Sequence, residues 1–480
     1  MAEELGMTVK KAENFSDWYY EVLQKAELVD IRFKVKGFDV YMPTAVRVIR
    51  EIERVFIQEL EGSGHIPLMF PIVIPESNLK KEEEHIEGFS VEAFWITHAG
   101  KTKLEERLAL RPTSETAMYP LYSLWLRSHT QLPMKFYQQG RVWRYETKMT
   151  RPLIRPREFK WFEAHCAQST EQGALDQVAE DTEIFKKIVT DYLSIPFIHI
   201  KKPSWDKFAG AEDTFAFEAV LPDGKVLQIG TTHYLGQKFA KAFDVKYLDK
   251  DGKKKYVYQT CFGPGVSRIT GAMVAIHGDD KGLIIPPAVA PVQVVIVPIF
   301  TKQTEAMVMK KAGELLGSLA EKGFRVDLDD RIQYSPGFKF HEWELKGVPV
   351  RIEIGPRDIE AGKVTIVRRD FLEKIAVPED KVEEQLFEIM DSIGAQLLKR
   401  AGELMKIQDA HDYTDLKKKL KEGGFVRIDF CMEEKCADNL KEDTTAEVRG
   451  TLFGKEEKVG DKCAVCGKKA KQKAYIGISY

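Results

Sequence analysis

The sequence is poor in net charge, in cysteine and in long apolar runs, and each shortage narrows what the chain can be. With 72 basic against 74 acidic residues the formal charge is −2, so a nucleic-acid partner has to be met by local cationic patches. No apolar run reaches the roughly 18 residues that cross a bilayer, and the opening MAEELGMTVKKAENF lacks the apolar core of a secretory leader. A cytoplasmic protein with no membrane partner is expected. Six cysteines in 480 residues cannot staple a chain of this length, and four of them crowd its C-terminal part in metal-ligand spacing. Neither GxxxxGK[ST] nor a GxGxxG in a βαβ setting occurs, which removes the P-loop and dinucleotide-binding classes.

What is present centres on Val142 to Gln168, VWRYETKMTRPLIRPREFKWFEAHCAQ. Both ends alternate like β-strands. Paired as a hairpin, they put Arg144, the carboxylates Glu146 and Glu163 and the rings of Phe159 and Trp161 on one surface. The joining loop adds Lys148, Arg151 and Arg155 and is stiffened by Pro152 and Pro156. Arginine forks grip phosphate through paired charge-assisted bonds and an aromatic face stacks on a purine, so the stretch predicts a nucleotide site. On charge patterning alone a solvated basic loop is an equal reading. Downstream, Pro-Asp-Gly joins the alternating runs TFAFEAV and KVLQIG into a second hairpin. The glycine-rich CFGPGVSR, Cys261 to Arg268, leads into a helix ending at His277 and lets Arg268 meet a phosphate. Thr113 reads as an N-cap with Glu115 as a first-turn acid, and Thr231 or Thr232 as a cap for a following helix. Cys166 and Cys261 read as packing residues.

Arg-Tyr-Glu, a variable loop and Arg-Pro-Arg-Glu-Phe resemble motif 2 of the class II aminoacyl-tRNA synthetases. The helix Pro43 to Leu60 with the strand Leu68 to Pro75, interrupted by Pro71, resembles motif 1, and CFGPGVSR resembles motif 3. The likeness spans essentially the whole chain and is strongest to the prolyl-tRNA synthetases of archaeal and eukaryotic type. It implies an α+β fold with an antiparallel-sheet catalytic core over 1–286, an α/β anticodon-binding domain over 287–400 and a small zinc-binding α+β domain over 401–480. It implies a homodimer joined through motif 1, acting on L-proline, ATP with Mg²⁺ and tRNA(Pro). Arg144 and Arg268 take the catalytic places. Arg144, Glu146, Arg155, Phe159, Gln228, Thr231 and Arg268 match ATP positions. Thr113, Glu115, Arg144, Trp161, Glu163 and His233 match proline positions. A threonyl-type enzyme would need a Cys/His/His zinc set in the core, which no sequence pattern offers. A silent tRNA-binding paralogue would have lost Arg144 and Arg268.

The prolines of IPPAVAPVQVVIVP, Ile285 to Pro298, mark a linker, and the strand-helix alternation beyond it predicts a compact α/β unit with a mostly parallel sheet. There Arg351 and Arg357 can present forks to guanine, with Glu344 a third anticodon candidate. Cys431, Cys436, Cys463 and Cys466 form two close pairs suited to a closed structural Zn²⁺ site. The last residues turn apolar after a lysine run and end at Tyr480, the mark of a docked tail. The resemblance implies that its carboxylate returns to the catalytic domain.

Overall fold

The computed structural model describes residues 6–85, 93–146 and 149–480. Lys148 of the predicted cationic loop lies outside them. The amphipathic helix Pro43–Gly62 forms where the spacing of Val46, Ile49, Ile52, Val55, Phe56 and Leu60 predicts, with Val48 buried in place of Val46, and is opened by a proline whose fixed φ suits the first turn. It packs on Val266–His277, a helix buried along almost its whole length. Phe56 stacks on Phe162 of the sheet beneath at 5.1 Å.

That sheet has eleven strands. From one edge they run Ile407–Asp409, Phe425–Phe430, Gln472–Gly477, Glu447–Leu452, Ile198–Lys201, Asp213–Val220, Val226–Gly236, Tyr258–Pro264, Glu158–Gln168, Met134–Trp143 and Ile66–Pro67. All neighbours are antiparallel except the pair at each edge. Both predicted hairpins form within it, Val142 opposite Phe159 in one and Phe217 opposite Gly230 in the other. Thr231 and Thr232 lie inside Val226–Gly236 and cap no helix, because both flanks of that strand are taken by sheet partners. Of the predicted strand Leu68 to Pro75 only the part after Pro71, Val73–Pro75, forms, and a second short strand, Ile66–Pro67, lies just before it. Ile66–Pro67 joins the large sheet's edge and Val73–Pro75 a separate three-stranded one.

The middle region has its own core and a five-stranded sheet in the order Val326–Leu328, Val294–Pro298, Val350–Ile354, Lys363–Arg368, Lys374–Pro378. Two pairs are parallel and two antiparallel, so the sheet is mixed where a mostly parallel one was expected. The link from Ile354 to Lys363 holds only the short helix Pro356–Glu360, too little chain for a parallel crossover. The C-terminal region, by contrast, continues the core's own sheet: Thr451 pairs with Lys201 and Leu452 with Ile200.

Candidate active site

A cavity of about 300 Å³ opens over the centre of the large sheet. Thr113, Glu115, Arg144, Phe159, Trp161, Gln228, Thr231, His233 and Arg268, all singled out from sequence, line it. Chain segments far apart converge there because three adjacent strands supply alternate side chains from one face, and the turn into helix Glu115–Trp125 closes one end.

The closed end is acidic. Glu115 is 1% exposed and accepts hydrogen bonds from the Thr113 hydroxyl and from Cys261 Sγ at 3.1 Å. No cation bridges it among the described residues. Cys261 therefore does more than fill space, although its lone position in the sequence gave no signal of this. Ser114, not Thr113, takes the N-cap position of the helix. Trp161 and His233 form the walls, and the Trp161 indole N–H is buried without an acceptor among the described residues. His233 Nδ1 lies 3.0 Å from the Thr214 hydroxyl and its ring 4.9 Å from Phe208. Burial, then the charges of Arg144 and His165, pushes its pKa down to about 3, so the ring is neutral.

Glu163 sits behind this wall, fully buried. It accepts from Ser114 Oγ at 2.5 Å and Gln138 Nε2 at 2.6 Å and pairs with His165 Nε2 at 3.2 Å. Burial works against its ionisation, but the His165 and Ser114 bonds and the Arg111 charge outweigh it and hold the carboxyl below its ordinary value. Glu115, His165 and Cys261 come within metal-ligand reach of one another. Both nitrogens of His165 are engaged, however, one by Glu163 and the other by the Tyr119 hydroxyl at 3.0 Å, so the group reads as a hydrogen-bonded floor.

The other end is cationic. Arg144 Nε donates to Pro112 O at 3.1 Å, and its guanidinium lies 5.5 Å from the Phe159 ring and 5.4 Å from Trp161. Arg268 is fixed by two backbone carbonyls, Ile154 O at 2.8 Å and Gln228 O at 3.0 Å. Burial, then repulsion from Arg155 and Arg144, lowers its pKa to about 10. Arg155 and Glu146 stand beside the cavity without lining it. The backbone carbonyl of Glu146 accepts from Arg157 Nε at 3.0 Å, and Arg155 Nη2 donates to the C-terminal oxygen of Tyr480. The tail thus docks as its composition predicts. Tyr480 N–H donates to Val226 O at 3.1 Å, and its ring lies 4.9 Å from both Arg151 and Lys225. Lys202, Asp206, Lys207 and Phe208 also line the cavity. Only the unusually charged run KKPSWDKF marked them in the sequence.

Elsewhere, Cys431 and Cys466 Sγ lie 3.7 Å apart and Cys436 and Cys463 Sγ 3.9 Å apart. Tetrahedral zinc with Zn–S of about 2.3 Å requires sulfur separations of about 3.8 Å, so the four thiols fit the ion. In the middle region Arg351 is buried, its fork held by Glu344 at 2.9 Å and Glu353 at 3.0 Å. It does not present the free guanidinium expected from sequence, because the alternation of Val350–Ile354 sets it facing Glu353 across one residue. Arg357 is exposed on its short helix.

An antiparallel sheet carrying a hairpin arginine, a second arginine on the helix behind and a cavity between them defines a class II aminoacyl-tRNA synthetase core. Residues 94–277 match the family described as tRNA synthetase class II core domain (G, H, P, S and T), residues 293–389 an anticodon binding domain, and residues 413–480 the prolyl-tRNA synthetase C-terminal family. The chain is 51% identical to a proline–tRNA ligase of Thermofilum pendens over 99% of its own length and all of the relative's. It is 45% identical to those of Thermococcus kodakarensis, over 98% of this chain and 99% of the relative, and Methanopyrus kandleri, over 97% and 96%. The chain belongs to the proline–tRNA ligase family.

Proposed function

We propose that this protein activates L-proline with ATP and transfers the prolyl group to the 3′ end of tRNA(Pro). The observation that carries the reading is the polarity of the cavity: at one end a buried carboxylate in no salt bridge among the described residues, at the other a cluster of arginines. Prolyl-adenylate has the complementary polarity. The Glu115 carboxylate and Thr113 hydroxyl receive the ring's charged imino group, and Trp161 and His233 enclose its methylenes. Glu163 acts from behind, fixing Ser114 and His165. Arg144 holds the proline carboxylate against the ATP α-phosphate, Phe159 stacks on adenine, and Gln228, Thr231 and Arg268 bind the rest of the nucleotide, with Glu146 and Arg155 at its rim. A proline carboxylate oxygen attacks the α-phosphorus, the bond to the β-phosphate oxygen breaks and pyrophosphate leaves. A ribose hydroxyl of tRNA then attacks the acyl carbon and releases AMP. Positioning and fixed positive charge carry both steps without a side-chain nucleophile. Mg²⁺ accompanies ATP and shields the charge of its phosphates.

Residues 1–286 form the catalytic domain in this reading, 287–400 the anticodon-binding domain with Glu344, Arg351 and Arg357 as its contacts, and 401–480 the C-terminal domain, whose four cysteines hold structural Zn²⁺. Ile66, Met69 and Ile72 are exposed along the open sheet edge, Met69 by 90%, which supports a homodimer formed there. No helix among the described residues is long and apolar enough to cross a membrane. The proposed location is the cytoplasm, where tRNA is charged. Amino-acid-dependent exchange of pyrophosphate into ATP, run with all twenty amino acids, tests the reading. Proline alone should drive rapid exchange, and preference for another amino acid would overturn it.

A further inference from the structure

A buried chain of charges joins the C-terminal region to the cavity and is unused in the reading above. Lys202 is buried on the cavity wall, its Nζ 2.9 Å from Asp206 Oδ2 and 3.2 Å from Glu218 Oε1. Glu218 is fully buried and is gripped from its other side by Arg449, Nη2 to Oε1 at 2.7 Å and Nε to Oε2 at 2.8 Å. Arg449 belongs to the strand Glu447–Leu452 and is anchored in turn by Glu447 at 2.7 Å. Burial alone would raise the Glu218 pKa. The charges of Lys202 and Arg449 outweigh it and hold the carboxyl below its ordinary value.

The register of the second hairpin says which end of the cavity this chain serves. Thr214 stands opposite His233, and Glu218 opposite Gln228. Lys202 N–H donates to Thr214 O at 2.9 Å while its ammonium reaches Glu218, so the side chain runs from the level of His233 to that of Gln228. The Arg449 charge also lowers the pKa of Arg268. The ammonium therefore lies toward the cationic, nucleotide end. It carries three donors, and among the described residues Asp206 and Glu218 take two. One is left for an acceptor in the cavity.

We propose that Lys202 is a nucleotide-binding residue, donating to an oxygen of ATP, and that Arg449 of the C-terminal strand is its positioning residue, acting through Glu218. The proposal rests on the reading of the cavity as an ATP-dependent activating site. Full-length K202M, R449M, R449K and K202M/R449M proteins are compared with wild type in amino-acid-dependent pyrophosphate exchange, with KM for ATP and for the amino acid measured separately. K202M and R449M should each raise KM for ATP about tenfold, the scale of one charged hydrogen bond, with KM for proline unchanged. R449K should recover part of the loss. The double variant should be no worse than K202M alone, because the two residues act as one unit. Repeating K202M with 2′-deoxy-ATP separates the ribose 2′-oxygen, where the penalty vanishes, from the other nucleotide oxygens, where it persists. A wild-type KM for ATP in K202M, or penalties that add in the double variant, would overturn the proposal. Should wild type prefer another amino acid, the proline reading falls while the same comparison, run with that amino acid, still decides the role of Lys202.

Discussion

The C-terminal region continues the catalytic core's own sheet, whereas the middle region keeps a separate sheet and meets the core through a linker, two backbone hydrogen bonds and a few side chains. In the first case Glu447–Leu452 lies beside Ile198–Lys201 in one sheet, Arg449 enters a buried ion network, and Phe453 packs 4.5 Å from Phe215. In the second the two sheets are separate, Arg369 pairs with Asp279 at 2.6 Å, and Leu283 and Ile285 donate to Leu345 O and Gly347 O. A groove of about 420 Å³ remains at that joint, between Tyr192 and Phe387. Backbone pairing and buried charge transmit position, because neither tolerates displacement without stranding polar groups. A joint with no shared sheet, set around a groove, permits more movement. The C-terminal region is therefore expected to act on catalysis and the middle region on tRNA alone.

The largest test of that contrast is the metal site. Cys463→Ser, or prolonged chelation, removes a ligand from a closed four-thiolate cluster and should unfold the C-terminal sheet. The sequence alone portrays this region as separable, with the ATP site left chemically complete. Strand pairing, Arg449 and the Tyr480 main-chain oxygen now tie it to the core, so proline-dependent exchange should fall about tenfold or more along with bound zinc. Metal analysis of untreated protein should find about one zinc per chain. A metal-free Cys463→Ser chain with wild-type exchange would break the contrast.

A smaller cut isolates the tail. Deleting Ser479 and Tyr480 removes the Tyr480 main-chain oxygen from Arg155 and the ring lying against Arg151 and Lys225. Arg151 Nε and Nη2 are buried without hydrogen-bond partners among the described residues, and the Tyr480 ring shares the support of that guanidinium with Phe15, Tyr19 and Tyr20. Catalytic efficiency should fall several-fold, on the scale of roughly 1 kcal/mol for an interaction of this kind, while zinc content and thermal unfolding stay as in wild type. Tyr480→Ala, which removes the ring and keeps the main-chain oxygen, should do so in part. Unchanged kinetics in both variants would reduce the tail to packing.

How much of this was legible before the structure follows the range of the interactions. The two hairpins, the helix Pro43–Gly62 and the four-cysteine cluster are written locally, in alternation, periodicity and spacing, and each formed where expected. The nine predicted residues that line the cavity were legible because motif spacing fixes them on known elements. What stayed hidden depends on pairing across the chain. Glu218 and Arg449 are 231 residues apart and look like ordinary strand-face charges. Lys202 lies in a charged run that reads as solvated surface. Cys261 acquires its role only from Glu115, 146 residues earlier. The mixed middle sheet was misread because helix–strand alternation predicts crossovers but says nothing of the short return from Ile354 to Lys363.

The finest test concerns the middle region and its two arginines. Base reading needs a fork that can leave its protein partners at little cost, and the two differ sharply in this. Arg357 is exposed on Pro356–Glu360, so Arg357→Ala should weaken charging of tRNA(Pro) by about 1–3 kcal/mol with no change in unfolding. Arg351 is held by Glu344 and Glu353 and lies 4.1 Å from the Phe340 ring. Arg351→Ala takes the arginine from two carboxylates, leaving Glu353 with Lys374 at 2.9 Å and Glu344 with Lys281 at 3.9 Å. It should therefore lower the unfolding temperature of the middle region as well as charging, its influence on the anticodon passing through the order of Glu344. Proline-dependent exchange should be spared in both variants, because the joint to the core transmits little. Equal loss of exchange and charging would show that the joint is rigid after all. Unchanged charging in Arg357→Ala would return base reading to Arg351, with Glu344 and Glu353 released when the anticodon arrives.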